Sequence, residues 1–83
     1  MRIDVTEDDI ENGHKHDCRL CPVALAVRRA AGDGYEVTPL SVIIDLEQRR
    51  QLPEEAIAFI RAFDQGKPVA PFSFDIDIPE PAQ

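Results

Sequence analysis

The stretch from Pro22 to Val27 reads Pro-Val-Ala-Leu-Ala-Val, apolar on every side of a helix. A helix with that pattern has to be wrapped by other elements, so it is expected at the centre of the core. Proline suits its first position, where the missing N–H had no partner in any case. Arg28 and Arg29 mark where this helix meets water, and Gly32-Asp33-Gly34 ends it. The wrapping has to come from a chain of only 83 residues. That length makes one domain, residues 1–83, with a core small enough to gain from a metal, a disulfide or a partner subunit.

The remaining elements follow from periodicity and punctuation. Arg2 to Thr6 reads as a short strand with Ile3 and Val5 on one face and Asp4 on the other. Thr6 is then an N-cap, with Glu7, Asp8 and Asp9 in the first turn where the helix dipole favours acids. Gly13 is the stop, leaving a one-to-two-turn helix that carries Ile10 inward. Tyr35–Val37 and Val42–Leu46 read as two strands parted by Thr38-Pro39, a hairpin with an irregular turn. In the second, Val42, Ile44 and Leu46 share a face. Pro53 opens a last helix in which Ala56, Phe59, Ile60 and Phe63 form a core stripe, and Gly66 ends it. Phe72 to Ile78 alternates throughout and is the clearest strand. Pro79 and Pro81 close it, and residues 79–83 are expected to fray. The order is β-α-α-β-β-α-β. It predicts a small α+β domain with a largely antiparallel sheet and helices on one face.

Charge narrows the functional classes. Nine basic residues against sixteen acidic give a formal net charge of −7. Phosphate-backbone binding draws on Lys and Arg, so general nucleic-acid binding is not expected of such a chain. No stretch approaches the roughly 20 apolar residues that cross a bilayer, and no apolar signal-peptide core is visible at the start. A cytoplasmic setting with no membrane association is the expectation. In that setting two cysteines are reduced thiols or metal ligands more often than a permanent disulfide.

The chemically unusual segment is His14-Lys15-His16-Asp17-Cys18-Arg19-Leu20-Cys21. Zinc takes thiolates and imidazoles in a tetrahedral set, and Cys18-x-x-Cys21 is a favoured half-site that His14 and His16 would complete. Four ligands in eight residues is tight, because structural zinc sites usually draw their second pair from a distant segment. A redox reading rests on the same pair, since a C-x-x-C at a helix start can carry a lowered thiol pKa. Thioredoxin-like enzymes, however, put the first cysteine at the helix start after a buried parallel strand, and that context is missing. The reading that asks least takes both cysteines as small buried hydrophobes, with Cys21 at the N-cap, Cys18 under the loop, and both histidines solvated. A reversible disulfide is the remaining alternative. No cofactor is otherwise expected.

A helix N-terminus beside Lys15 and Arg19 is also a place for an anion. With Arg28 and Arg29 these are the candidate ligand-binding cations, although helix-end arginines more often balance acidic neighbours. Other enzyme signatures are missing. The glycines at 13, 32, 34 and 66 sit at helix ends and form no phosphate loop. Ser41 and Ser73 have no histidine base in a foreseeable geometry. Asp75 and Asp77 pair on a solvent face, where such acids serve solubility and edge protection.

With Cys18-x-x-Cys21-Pro22-Val23-Ala24-Leu25-Ala26 in view, the chain resembles a family of short uncharacterised proteins of bacteriophages and their hosts. The resemblance also takes in a strand leading to a Val5–Ile10 helix of VTEDDI type. Its later part runs through Leu52-Pro53, Phe59-Ile60, Phe63-Asp64, Gly66, Pro68 and Pro71-Phe72-Ser73-Phe74. It covers Val5 to Ile78 and implies a phage or prophage setting rather than a mechanism. Together these readings predict a non-enzymatic binding protein, homo-oligomeric, that engages a host protein or sequesters a small anionic, nucleotide-like ligand. Mimicry of DNA through the acids of 4–11 or 75–80 is one form of the protein-binding version. The alternative is a small zinc-binding or thiol-redox module built on Cys18 and Cys21.

Overall fold

The computed structural model describes residues 1–78. In chain order the elements are β1 (Arg2–Val5), α1 (Glu7–Asn12), α2 (Pro22–Ala31), β2 (Glu36–Val37), β3 (Ser41–Ile43), β4 (Arg49–Gln51), α3 (Glu54–Asp64) and β5 (Phe72–Asp75). This is the expected α+β architecture, with one strand more than expected and with the strands divided into two antiparallel sheets. β1 pairs with β5, Ile3 opposite Phe74 and Val5 opposite Phe72, so the two ends of the domain are stitched together. Beyond that ladder the Met1 ammonium donates to the Ile76 carbonyl at 2.8 Å, and the Ile76 N–H donates to the Met1 carbonyl at 2.9 Å. The other sheet is a meander in the order β2-β3-β4.

α2 is central, as its pattern requires. Val23, Ala24, Ala26 and Val27 are all buried, and the helix lies against β1, α1 and β2. Around it the core gathers Ile3, Val5, Val37, Val42, Leu52, Ala56, Phe59, Ile60, Phe74, Ile76 and Ile78. Phe72 joins β5 to α3 through the Phe59 ring at a centroid distance of 4.7 Å. The expected strand Phe72–Ile78 ends at Asp75, yet its alternation continues: Phe74, Ile76 and Ile78 are buried while Asp75 and Asp77 face water. The expected frayed tail, residues 79–83, lies outside the described residues.

Local signals explain the ends. Thr6 and Asp9 form a reciprocal capping box at α1, each side chain accepting the other's backbone N–H, at 3.2 and 2.9 Å. α3 closes in a Schellman arrangement: Lys67 N–H reaches the Ala62 carbonyl and Gly66 N–H the Phe63 carbonyl, with Gly66 at φ +77°.

The expected strand Val42–Leu46 is shortened. Asp45 accepts the N–H groups of Glu47 and Gln48 at 2.8 and 2.9 Å, and this turn folds Arg49–Gln51 back onto β3. Leu46 therefore does not share the face of Val42; it stands fully exposed at the hairpin tip. Pro53 is the N-cap of α3 rather than its first residue.

Candidate functional site

The His14–Cys21 segment, the β2–β3 turn and one flank of α3 enclose a cleft. Its inner hollow, about 160 Å³, is lined by His16, Asp17, Cys18, Cys21, Val37, Pro39, Ile60 and Asp64. An outer hollow of about 300 Å³ shares His16, Pro39 and Asp64 and adds Leu40, Ile57, Arg61 and Gln65.

Each wall has a local cause. Thr38 accepts the N–H groups of Leu40 and Ser41 through its hydroxyl, at 3.2 and 2.9 Å, while its own N–H meets the Ser41 carbonyl at 2.8 Å. That tight turn pushes Pro39 and Leu40 outward, and Leu40 is 60% exposed. On α3, Ile57, Arg61 and Asp64 recur at four- and three-residue spacing, a second stripe beside the core stripe.

The third wall is a loop held by its own backbone. The His14 N–H reaches the Leu20 carbonyl at 2.8 Å, and the Cys21 N–H reaches Asp17 at 3.1 Å. Asp17 accepts the N–H groups of Arg19 and Leu20, at 2.8 and 3.0 Å. The Arg19 N–H is the larger influence; with Leu20 it holds the Asp17 carboxyl below its usual range against a smaller opposing desolvation. His16 takes the left-handed conformation, φ 57°, the only non-glycine to do so among the described residues. That conformation costs on the order of 1 kcal/mol, and Asp64 secures it by accepting the His16 N–H at 3.0 Å. The same carboxylate lies 3.6 Å from His16 Nδ1.

Cys21 is buried at the N-cap of α2, its sulfur accepting the Ala24 N–H at 3.4 Å. Burial pushes its thiol up to about 11, so at neutral pH it carries its proton. Cys18 is exposed instead of packed beneath the loop, and its carbonyl accepts the Val37 N–H of β2 at 2.8 Å. Of the expected zinc set, His16, Cys18 and Cys21 line the cleft, whereas His14 is exposed and outside its lining. Among the described residues no three His, Cys, Asp or Glu side chains are grouped to hold a metal.

The four candidate cations are dispersed. Arg29 donates to Asp9 through Nη1 and Nη2, and through Nη2 to the Asp4 carbonyl at 2.7 Å. Arg28 donates to the Arg19 carbonyl at 3.2 Å and lies 3.7 Å from Asp33, with its Nε buried and unpaired. Arg19 is exposed, and Lys15 borders a separate hollow with Phe63 and Gly66. Sequence reasoning missed Pro39, Leu40, Ile57, Arg61 and Asp64. One signal was available: an aspartate in the last turn of a helix opposes the dipole, so Asp64 stands where helix stability alone does not favour it.

Fold and site together define a small α+β domain with a lateral cleft, and among the described residues no helix is long and apolar enough to cross a membrane. No known protein family matches the chain, and no curated protein or solved structure matches it either.

Proposed function

We propose that this chain is a non-catalytic binding protein, a phage-type accessory factor that engages a host protein by seating one of its apolar side chains in the cleft. The observation that carries the reading is the cleft's composition: buried Val37 and Ile60 with half-buried Ile57 and exposed Pro39 and Leu40, beside the polar His16, Asp17, Arg61, Asp64 and Gln65. Apolar side chains gathered beside polar ones are the anatomy of a protein-binding hot spot. The inner hollow, about 160 Å³, suits a single side chain, and the outer hollow, about 300 Å³, leaves room for its neighbours. A small anionic ligand is the weaker partner class. It would meet the carboxylates of Asp17 and Asp64, while Arg29 is already neutralised by Asp9.

A second copy of the chain is one protein that could offer such a side chain. Sedimentation over a concentration series separates self-association from a foreign partner. The test of the site itself is a display selection of peptides, followed by amide correlation spectra of the labelled protein. Selected binders should shift His16, Leu40, Ile57, Arg61 and Asp64. Shifts confined to the acids of β1 and α1, or to Arg28 and Arg29, would overturn the assignment.

A further inference from the structure

We propose that Cys18 and Cys21 are a thiol-oxidation site, closing to a disulfide by exchange with a low-molecular-weight disulfide and thereby reshaping the wall of the cleft. Asp17 to Cys21 forms one helical turn, closed by the Cys21 N–H on the Asp17 carbonyl at 3.1 Å and capped by the Asp17 side chain. In such a turn, side chains three residues apart face one another with Cβ atoms about 5–6 Å apart. A disulfide asks for about 3.5–4.5 Å, so a contraction of about 1–2 Å completes it. Both cysteines line the inner hollow.

The two sulfurs have different exposure and so different roles. Cys18 is open to solvent and makes the first attack. Its thiolate displaces one thiolate from the small disulfide, leaving a mixed disulfide. Cys21 then loses its proton to solvent, its sulfur attacks Cys18, and the second small thiol departs. Two protein thiols are oxidised and one small disulfide is reduced to two thiols.

The turn is wired to its surroundings on both sides. The Cys18 carbonyl holds the Val37 N–H of β2, and the Cys21 sulfur holds the Ala24 N–H of α2. Contraction therefore moves the wall shared with Val37. That this alters partner binding rests on the cleft being the binding face; the oxidation does not.

The experiment exposes the reduced, full-length protein to graded ratios of oxidised to reduced glutathione and reads intact mass and thiol content. The wild type is expected to lose both thiols and two hydrogens in mass without a lasting adduct. Cys21→Ala is expected to accumulate one glutathione on Cys18. A wild type that stops at the glutathione adduct overturns the proposal. So does one that keeps both thiols where Cys21→Ala is modified, or one that carries a zinc ion shielding them. Mass reports the bond directly, so the result stands apart from whether any partner fills the cleft.

Discussion

Arg29 grips Asp9 at two points, Nη1 to Oδ1 at 2.8 Å and Nη2 to Oδ2 at 2.9 Å, and so fastens α1 to α2. Asp9 is buried and also completes the capping box with Thr6, so one carboxylate closes a helix end and a helix–helix contact. Burial is the largest influence on this carboxyl and raises its pKa. The bonds from Arg29 and Thr6 together outweigh it, and the net displacement is downward.

A carboxyl with a depressed folded-state pKa stabilises the fold fully above its ordinary value, here 3.8, and ceases to as pH falls through the lower folded value. Asp9→Ala should therefore cost about 2 kcal/mol near neutral pH. Arg29 is 52% exposed, so water screens the pair, and the cost resembles lost hydrogen bonds more than a broken sealed ion pair. Urea unfolding across pH measures it: the gap between wild type and variant should narrow below pH 3.8. Asp4 is lowered as well, first by the Ser73 hydroxyl and then by Arg2, so the wild-type curve alone would not isolate Asp9. A gap independent of pH would show that packing, not charge, holds α1.

Gly13 and Gly34 make a contrasting pair. Gly13 has an ordinary φ of −73°, yet a Cβ there would lie 2.6 Å from the Pro22 ring and 2.8 Å from the Asp9 carbonyl oxygen. Gly13→Ala should cost about 1–3 kcal/mol through overpacking at the α1–α2 junction. A Cβ on Gly34 would meet nothing within 4 Å. Gly34→Ala should be neutral or raise stability by about 0.5 kcal/mol, through the unfolded chain. Thermal melts of the two variants decide it; equal effects would contradict the close approach at Pro22.

The legible parts of this fold were those whose determinants lie close together in sequence. The Thr6 cap, the all-round apolar α2 and the alternating β5 each declare themselves within a dozen residues. β4 did not, because Arg49-Arg50-Gln51 has neither apolar character nor alternation. Its strand exists because the Asp45 turn delivers it to β3. The same turn exposes Leu46, which periodicity had placed beside Val42. In the site, the loop was visible but its opposite wall was not. Asp64 reaches His16 across 48 positions, and Arg29 reaches Asp9 across 20, so each looked unassigned or available until the chain was folded.

Leu40 and Leu46 are both exposed, but only Leu40 borders the cleft. If the cleft is the binding face, Leu40→Ser should weaken a selected peptide by about 30-fold, the scale of a hot-spot residue near 2 kcal/mol. Leu46→Ser should leave affinity unchanged. Neither should alter stability by more than about 0.5 kcal/mol, since neither side chain is packed. Calorimetric titration with melts as control reads both quantities. A loss at Leu46 with none at Leu40 would move the binding face to the β3–β4 hairpin.

Cys21 offers the sharpest separation between a capping cysteine and a metal-held one. Its sulfur caps α2 weakly, at 3.4 Å, from a buried position. Serine is the better N-cap and nearly the same size, so Cys21→Ser should keep the cap, and its stability should stay within about 0.5 kcal/mol of wild type. Cys21→Ala removes the acceptor and should cost about 1 kcal/mol. Were the loop organised around zinc, serine would be as damaging as alanine, because neither supplies a thiolate and structural zinc contributes folding energy outright. Melting both variants with and without a chelator gives the answer. A serine variant that melts with the wild type, unmoved by chelator, identifies Cys21 as a cap; collapse of both variants identifies it as a ligand.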